Sequence, residues 1–148
     1  MSVEECIFYQ LAKTNQAGNR VWKKAMSGFN VTASQGIVLN FLHDEDRVTS
    51  KELGERILLD SATLTGILDR LEKAGLIERL QHPTDRRSII VGLTAEGRKV
   101  SHETYKEIER ANRIFLQILD EAEQKEFRAM LKRVRDYSDK AFAEIDRD

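Results

Sequence analysis

The chain has one cysteine and one proline in 148 residues. A lone cysteine cannot close an internal disulfide, which excludes a disulfide-stapled scaffold and predicts a reducing, cytoplasmic setting. No apolar run approaches the ~18 residues of a membrane span. The start, Met1-Ser2-Val3-Glu4-Glu5-Cys6, lacks the basic and apolar regions of a signal peptide. Neither sign of charge dominates: the net charge is −1, which excludes a bulk nucleic-acid coat and requires any basic patch to be local. The three histidines, His43, His82 and His102, are scattered, with no Cys/His cluster at zinc-ligand spacing. There is no glycine-rich phosphate loop, no Gly-x-Ser-x-Gly and no convergent carboxylate pair. Neither an enzyme nor a metal or cofactor is expected.

What is present is a helical chain, 41% hydrophobic and 33% charged, without repeats or Gly/Ser linkers. It reads as one continuous domain over residues 1–148. Phe8, Leu11, Gly18, Trp22 and Ala25 recur at helical spacing between Ser2 and Gly28. Thr32 and Gln35 form a capping box that starts a second helix through Ile37, Val38, Phe41 and Leu42, ended by the polar run 43–47. Thr49 and Glu52 form another box, with Val48 and Leu53 as a hydrophobic staple, ahead of a short third helix carrying Leu53, Ile57 and Leu58.

Asp60 caps a fourth helix whose Leu64, Ile67, Leu68 and Leu71 make a stripe of about 100°. Gly75 stands where a left-handed stop is wanted, and Leu76 can fold back on Leu71. The period then drops from 3.6 to 2. Ile77–Gln81 and Ser88–Leu93 read as a hairpin around the turn 82–87. Thr94 caps a fifth helix with Val100, Ile108, Ala111, Phe115 and Ile118 on one stripe. Asp120 and Glu123 open a sixth with Phe127, Met130, Leu131, Val134, Tyr137, Ala141 and Ile145.

Two short capped helices followed by a hairpin are the parts of a winged helix-turn-helix. The outer face of the fourth helix is Ser61, Ala62, Thr63, Thr65 and Gly66, followed by Arg70. Small side chains let a helix backbone approach base edges, hydroxyls bond bases or phosphates, and methyls touch thymine. Ser and Thr are common at any helix start, so this face alone decides nothing. The hairpin tip tilts the balance: Arg86 and Arg87 suit a narrow minor groove. In the turn Pro83 fixes φ and Asp85 can bond its own backbone, and beside the arginines Asp85 is also expected to orient one by a charge-assisted bond.

From Thr32 to Leu93 the chain resembles the MarR family of bacterial and archaeal regulators. The likeness is carried by residues 59–65 (Leu-Asp-Ser-Ala-Thr-Leu-Thr), residues 68–77 (Leu-Asp-Arg-Leu-Glu-Lys-Ala-Gly-Leu-Ile) and residues 85–88 (Asp-Arg-Arg-Ser). Asp85 and Arg87 match the family's Asp-x-Arg wing. The resemblance implies a mainly α fold of six helices with a small β-hairpin wing. The DNA-binding lobe falls at about residues 32–93 and the dimerisation helices at about 2–28 and 95–146. It also implies a homodimer on double-stranded DNA with an inverted repeat, and repression relieved by a small molecule. A two-fold dimer would set its recognition helices about 34 Å apart, one turn of DNA. Independently, the first, fifth and sixth helices carry more apolar positions than one small lobe can cover, and such surplus ordinarily meets a partner.

The family's effector crevice lies between the dimer helices and the winged lobe. Trp22, Met26 and Tyr105 are the residues suited to line it, for a small aromatic or anionic effector. The alternatives are that they are core or dimer-contact residues. At the level of function, the alternative is a winged module that docks protein or RNA. An RNA-reading face would present aromatics for stacking, and this one has none. Some relatives sense peroxide through a cysteine near the start of the first helix. Cys6 follows Glu4 and Glu5, and with Ser2 as cap it would be the fourth helical residue, a poor setting for a reactive thiolate. Tyr9 is the one tyrosine nearby, where the peroxide sensors use several.

Overall fold

Helix starts in this protein are set by side chains that accept the first free backbone N–H groups. The computed structural model describes residues 2–57 and 59–145. Leu58, expected on the third helix's stripe, and Asp146, expected to end the sixth, lie outside the described residues, as do Met1, Arg147 and Asp148.

The first boundary differs from expectation. Ser2 and Glu5 do form a capping box, but it closes a single 3-10 turn, Val3–Glu5. The Cys6 N–H goes back to the Val3 carbonyl at 3.2 Å, and the backbone extends at Cys6 (φ −64°, ψ 123°) before α1 begins at Ile7–Met26. Cys6 is therefore the N-cap of α1, not its fourth residue.

Elsewhere the caps act where expected. Thr32 and Gln35 start α2, Ala33–Asp44, with the reciprocal bonds at 3.3 and 2.7 Å. Thr49 and Glu52 start α3, Ser50–Ile57. Asp60 starts α4, Ser61–Lys73, by accepting the Thr63 N–H at 2.9 Å. The stop of α4 is a Schellman motif: Leu76 N–H reaches the Leu71 carbonyl at 3.0 Å and Gly75 N–H the Glu72 carbonyl at 2.8 Å. Gly75 sits at φ 71°, where only glycine avoids a steric cost.

The hairpin strands are β2, Ile77–Gln81, and β3, Ile89–Leu93. They are not alone. Val48–Thr49 form a further strand, β1, and the sheet is antiparallel with order β1-β3-β2, Val48 opposite Val91 and Ile77 opposite Leu93. Two residues cannot display a period of 2, so this strand left no pattern to read. Asp46 secures it. Its Oδ1 accepts the N–H groups of Arg47 (2.9 Å) and Leu93 (2.8 Å), and its Oδ2 pairs with Arg98.

One apolar cluster joins these parts: Val38, Leu39 and Leu42 of α2, Leu53 of α3, Leu64, Ile67, Leu68 and Leu71 of α4, and Val91 and Leu93 of the sheet. Each such side chain contributes about 1.5–3 kcal/mol by leaving water. Helix α5, Ala95–Leu116, starts at Thr94. It turns Ser101 and Thr104, both fully buried, inward alongside Ile108. The two hydroxyls donate to carbonyls of their own helix, which makes their burial inexpensive.

The described chain forms two compact units, Met1–Ala111 and Asn112–Asp148. In the second, Asp120 and Glu123 cap each other and open α6, Glu121–Ile145. Gln124 donates to the carbonyls of Leu116 (3.2 Å) and Leu119 (3.0 Å), closing the turn after α5. Ile118, expected on the α5 stripe, falls beyond the helix end and is 86% exposed. Met130, Leu131, Val134, Tyr137 and Ile145 of α6 are exposed, as are Ile7, Phe8 and Leu11 of α1.

Candidate nucleic-acid interface

Burial of Leu64, Ile67, Leu68 and Leu71 fixes the rotation of α4 about its axis. Ser61, Ala62, Thr63, Thr65 and Arg70 consequently face solvent, and Gly66 is half exposed. A β-carbon on Gly66 would meet nothing within 4 Å. Neither packing nor backbone demands glycine there, so its effect is to flatten the outer surface. Two threonine hydroxyls are already engaged: Thr63 donates to Asp60 at 2.6 Å and Thr65 to the Ser61 carbonyl at 2.7 Å. They offer lone pairs and methyls to a ligand rather than free hydrogens. The Thr63 hydroxyl, helped by the Thr63 N–H, holds the Asp60 carboxyl below its ordinary range. The Thr49 hydroxyl and N–H do the same for Glu52. Both caps are therefore charged at neutral pH.

At the wing, Arg86 and Arg87 are exposed. Asp85 bonds the backbone of its own turn, as the turn chemistry predicts, and does not orient an arginine. Its carboxylate accepts the Arg87 backbone N–H at 2.9 Å, an Asx turn, and pairs with neither guanidinium among the described residues. It shapes the loop and leaves both arginine heads free, because its oxygens lie closer to the backbone than to the outward side chains. His82 helps from the other side, its Nδ1 accepting the N–H groups of Thr84 (3.3 Å) and Asp85 (3.2 Å).

Arg79 does not join this basic tip. It turns back to α4, pairing with Asp69 at 2.7 Å and Glu72 at 2.8 Å. A groove of about 330 Å³ separates α4 from the hairpin, lined by Thr49, Lys51, Thr65, Asp69, Arg79 and Arg87 among others. Lys51 and the Arg79 pairs carry no sequence signal of their own, since each depends on how separate elements pack.

The structure distributes Trp22, Met26 and Tyr105 rather than gathering them. Trp22 Nε1–H donates to the Ala33 carbonyl at 3.0 Å, and Met26 is buried with its sulfur packed over Gly36. Both meet the first turn of α2. Tyr105 meets the other end, stacked on His43 with ring centroids 4.5 Å apart. His43 also stacks on His102 at 5.8 Å. Two buried polar atoms near this stack, Asn40 Nδ2 and His43 Nδ1, have no hydrogen-bond partner among the described residues.

Comparison with known proteins identifies the arrangement. The sequence profile of the MarR family matches residues 31–89. The PcaV transcriptional regulator from Streptomyces coelicolor, solved in complex with its natural ligand, is 30% identical with a TM-score of 0.84, over 93% of this chain and 97% of that one. A mutant MarR from E. coli complexed with operator DNA is 28% identical with a TM-score of 0.78, over 84% of this chain and 90% of that one. Among curated sequences, the organic hydroperoxide resistance transcriptional regulator of Bacillus subtilis is 33% identical over 97 residues, 66% of each chain. The matches span from half to about two-thirds of such curated relatives' lengths.

Proposed function

The chain belongs to the MarR family of transcriptional regulators, and from that premise we propose that it is a sequence-specific repressor of double-stranded DNA, acting as a homodimer and released by a small aromatic or anionic effector. One observation carries the DNA reading. The small outer face of α4 and the exposed Arg87 border one groove. Arg70, Arg86 and Arg87 have no carboxylate partner among the described residues. Uncompensated arginines beside a helix with no bulky outer side chain suit phosphate contacts and groove entry. In this reading Ser61, Ala62, Thr63, Thr65, Gly66 and Arg70 meet the major groove. Arg86 and Arg87 enter the minor groove on a loop shaped by Asp85.

The dimer is supported by apolar side chains left in water. Val134 is 60% exposed and Phe8 75%, and a second copy of the chain covers them. An inverted repeat in the DNA follows from two-fold symmetry. For the effector, Tyr105 with its His43 stack and the unpartnered Asn40 amide is a better anchor than Trp22 or Met26, whose contacts are already made. Redox release through Cys6 has one feature in its favour, the thiol's place at the N-cap of α1, and the rest of its setting opposes it. Two acidic residues precede the thiol, which makes no capping hydrogen bond.

The deciding measurement is fluorescence anisotropy on a sequence selected from a random duplex pool, against its single strands and a scrambled duplex, across a salt series. The expected result is duplex-selective, salt-dependent binding of an inverted repeat by two chains. Equal binding to single strands and scrambled duplex would overturn the reading in favour of another nucleic-acid or protein-docking role.

A further inference from the structure

We infer that Arg79 is a positioning residue for base recognition: it sets the recognition helix against the wing strand and neutralises two carboxylates that would otherwise confront DNA. This rests on the DNA-binding reading above.

Arg79 lies mid-way along β2, opposite the fully buried Val91. Its side chain is 25% exposed, and one nitrogen, Nη1, is 2.7 Å from Asp69 Oδ1 and 2.8 Å from Glu72 Oε2. Asp69 and Glu72 are three residues apart, so they share one side of α4. Asp69 is also one turn from Thr65, and with Thr65, Arg79 and Arg87 it lines the groove between helix and wing. Arg79 therefore lines the same groove as a residue assigned to read bases and the arginine assigned to the minor groove.

Otherwise α4 and the sheet share the apolar cluster of Leu64, Ile67, Leu68 and Leu71 with Ile77, Val91 and Leu93. Such contacts are non-directional, whereas charge-assisted bonds from a planar guanidinium fix geometry. The Schellman stop at Gly75 fixes where the chain leaves α4. The Arg79 clamp fixes, four residues later by way of β2, how α4 is rotated as it meets the strand. It has an electrostatic consequence as well. The Asp69 and Glu72 side chains are 58% and 42% exposed, and without a counter-charge they would repel phosphates approaching the groove.

A direct phosphate contact by Arg79 is the rival role, and the two are separable. Full-length wild type, Arg79→Gln, Arg79→Lys and the double variant Asp69→Asn/Glu72→Gln are titrated with the selected operator. The same titration uses operators substituted at single positions under α4 and a scrambled duplex, over a salt series. For Arg79→Gln, operator affinity is expected to fall about tenfold and the ratio of correct to substituted operator at least about fivefold, with the log–log salt slope unchanged. Arg79→Lys, able to hold one acid, is expected to lie between. The double variant keeps Arg79 yet is expected to lose the same discrimination, while binding scrambled duplex more tightly for want of two negative charges. A salt slope reduced by about 1 in Arg79→Gln with discrimination intact would make Arg79 a phosphate contact and overturn the inference. Undiminished discrimination in the double variant would overturn it too, and that variant decides the matter if Arg79→Gln does not fold. Failure of wild type to bind any duplex would instead sink the DNA reading itself.

Discussion

A β-carbon on Gly97 would stand 1.7 Å from the carbonyl oxygen of Leu76, so the first turn of α5 rests directly on the backbone that joins α4 to β2. The same carbonyl accepts the Thr94 N–H at 3.1 Å, and the Thr94 hydroxyl donates to the Gly75 carbonyl at 2.6 Å. The end of α4 and the start of α5 are thus one backbone-to-backbone joint. Backbone atoms held by two hydrogen bonds cannot move aside as a flexible side chain would. Gly97→Ala is expected to destabilise the protein by about 3 kcal/mol or more. Gly66→Ala, where the new carbon meets open space, is expected to add about 0.5–1 kcal/mol. Chemical denaturation of both variants checks the pair, and equal midpoints would show that the joint relaxes.

Asp60 gives a pH dependence with a definite sign. Its hydrogen bonds from Thr63 lower its folded pKa below the ordinary aspartate value of about 3.9. The unfolded chain then binds the proton first. The stability that the cap lends is full above that ordinary value and is lost as pH falls through the folded one. Asp60→Asn keeps the capping oxygen and is expected to abolish this part of the acid sensitivity while leaving neutral-pH stability nearly unchanged. Thermal unfolding from pH 7 to 2 is the measurement. Parallel curves for Asn and Asp would remove the carboxylate from the account.

The wing arginines are expected to act differently from one another. Arg87→Ala should weaken specific binding by about 1–3 kcal/mol and relax base preference at the outer positions of the operator. Arg86→Ala should reduce the salt slope by about 1 and weaken all duplexes alike. Asp85→Ala, by freeing the Arg87 N–H, is expected to resemble a weak Arg87 variant. Operator affinity of the Arg86/Arg87 double variant within twofold of wild type would refute the assignment.

Val134→Asp separates dimer from fold. Because Val134 is exposed in the single chain, the aspartate is uncostly there and is buried unpaired only when a second copy covers it. Sedimentation is expected to show a folded monomer with normal helical content and no operator binding. Phe115→Asp, at a half-shielded site, is expected to lose some helix stability as well. A wild type that sediments as a monomer at micromolar concentration would contradict the dimer.

Cys6 is expected to be silent. It caps α1 without a side-chain hydrogen bond, behind Glu4 and Glu5, and the nearest lysine in sequence, Lys13, lies over the Tyr9 ring at 5.6 Å. Near-stoichiometric peroxide should leave operator binding by wild type and Cys6→Ser equal. Release of DNA by wild type alone would identify Cys6 as a sensor.

Much of this architecture is local and therefore legible in the chain. Capping boxes, the Asp60 cap, the Gly75 stop and the stripe 64, 67, 68, 71 each involve residues within about one or two turns, whose interactions form whatever the rest of the chain does. The outer face of α4 follows by subtraction from its buried face, and the arginine tip follows from the turn. What spans long separations was decided by tertiary structure. β1 exists because Val48 finds Val91. Arg79 turns to α4 because Asp69 and Glu72 are within reach. Trp22 and Tyr105 go to opposite ends of α2. The inward side of α5 was hidden for a related reason: Ser101 and Thr104 look like surface residues until their hydroxyls are seen bonded to their own helix. A capping bond is chosen by neighbours the chain cannot avoid, whereas an ion pair or a two-residue strand is chosen among many partners, and only the packed fold does the choosing.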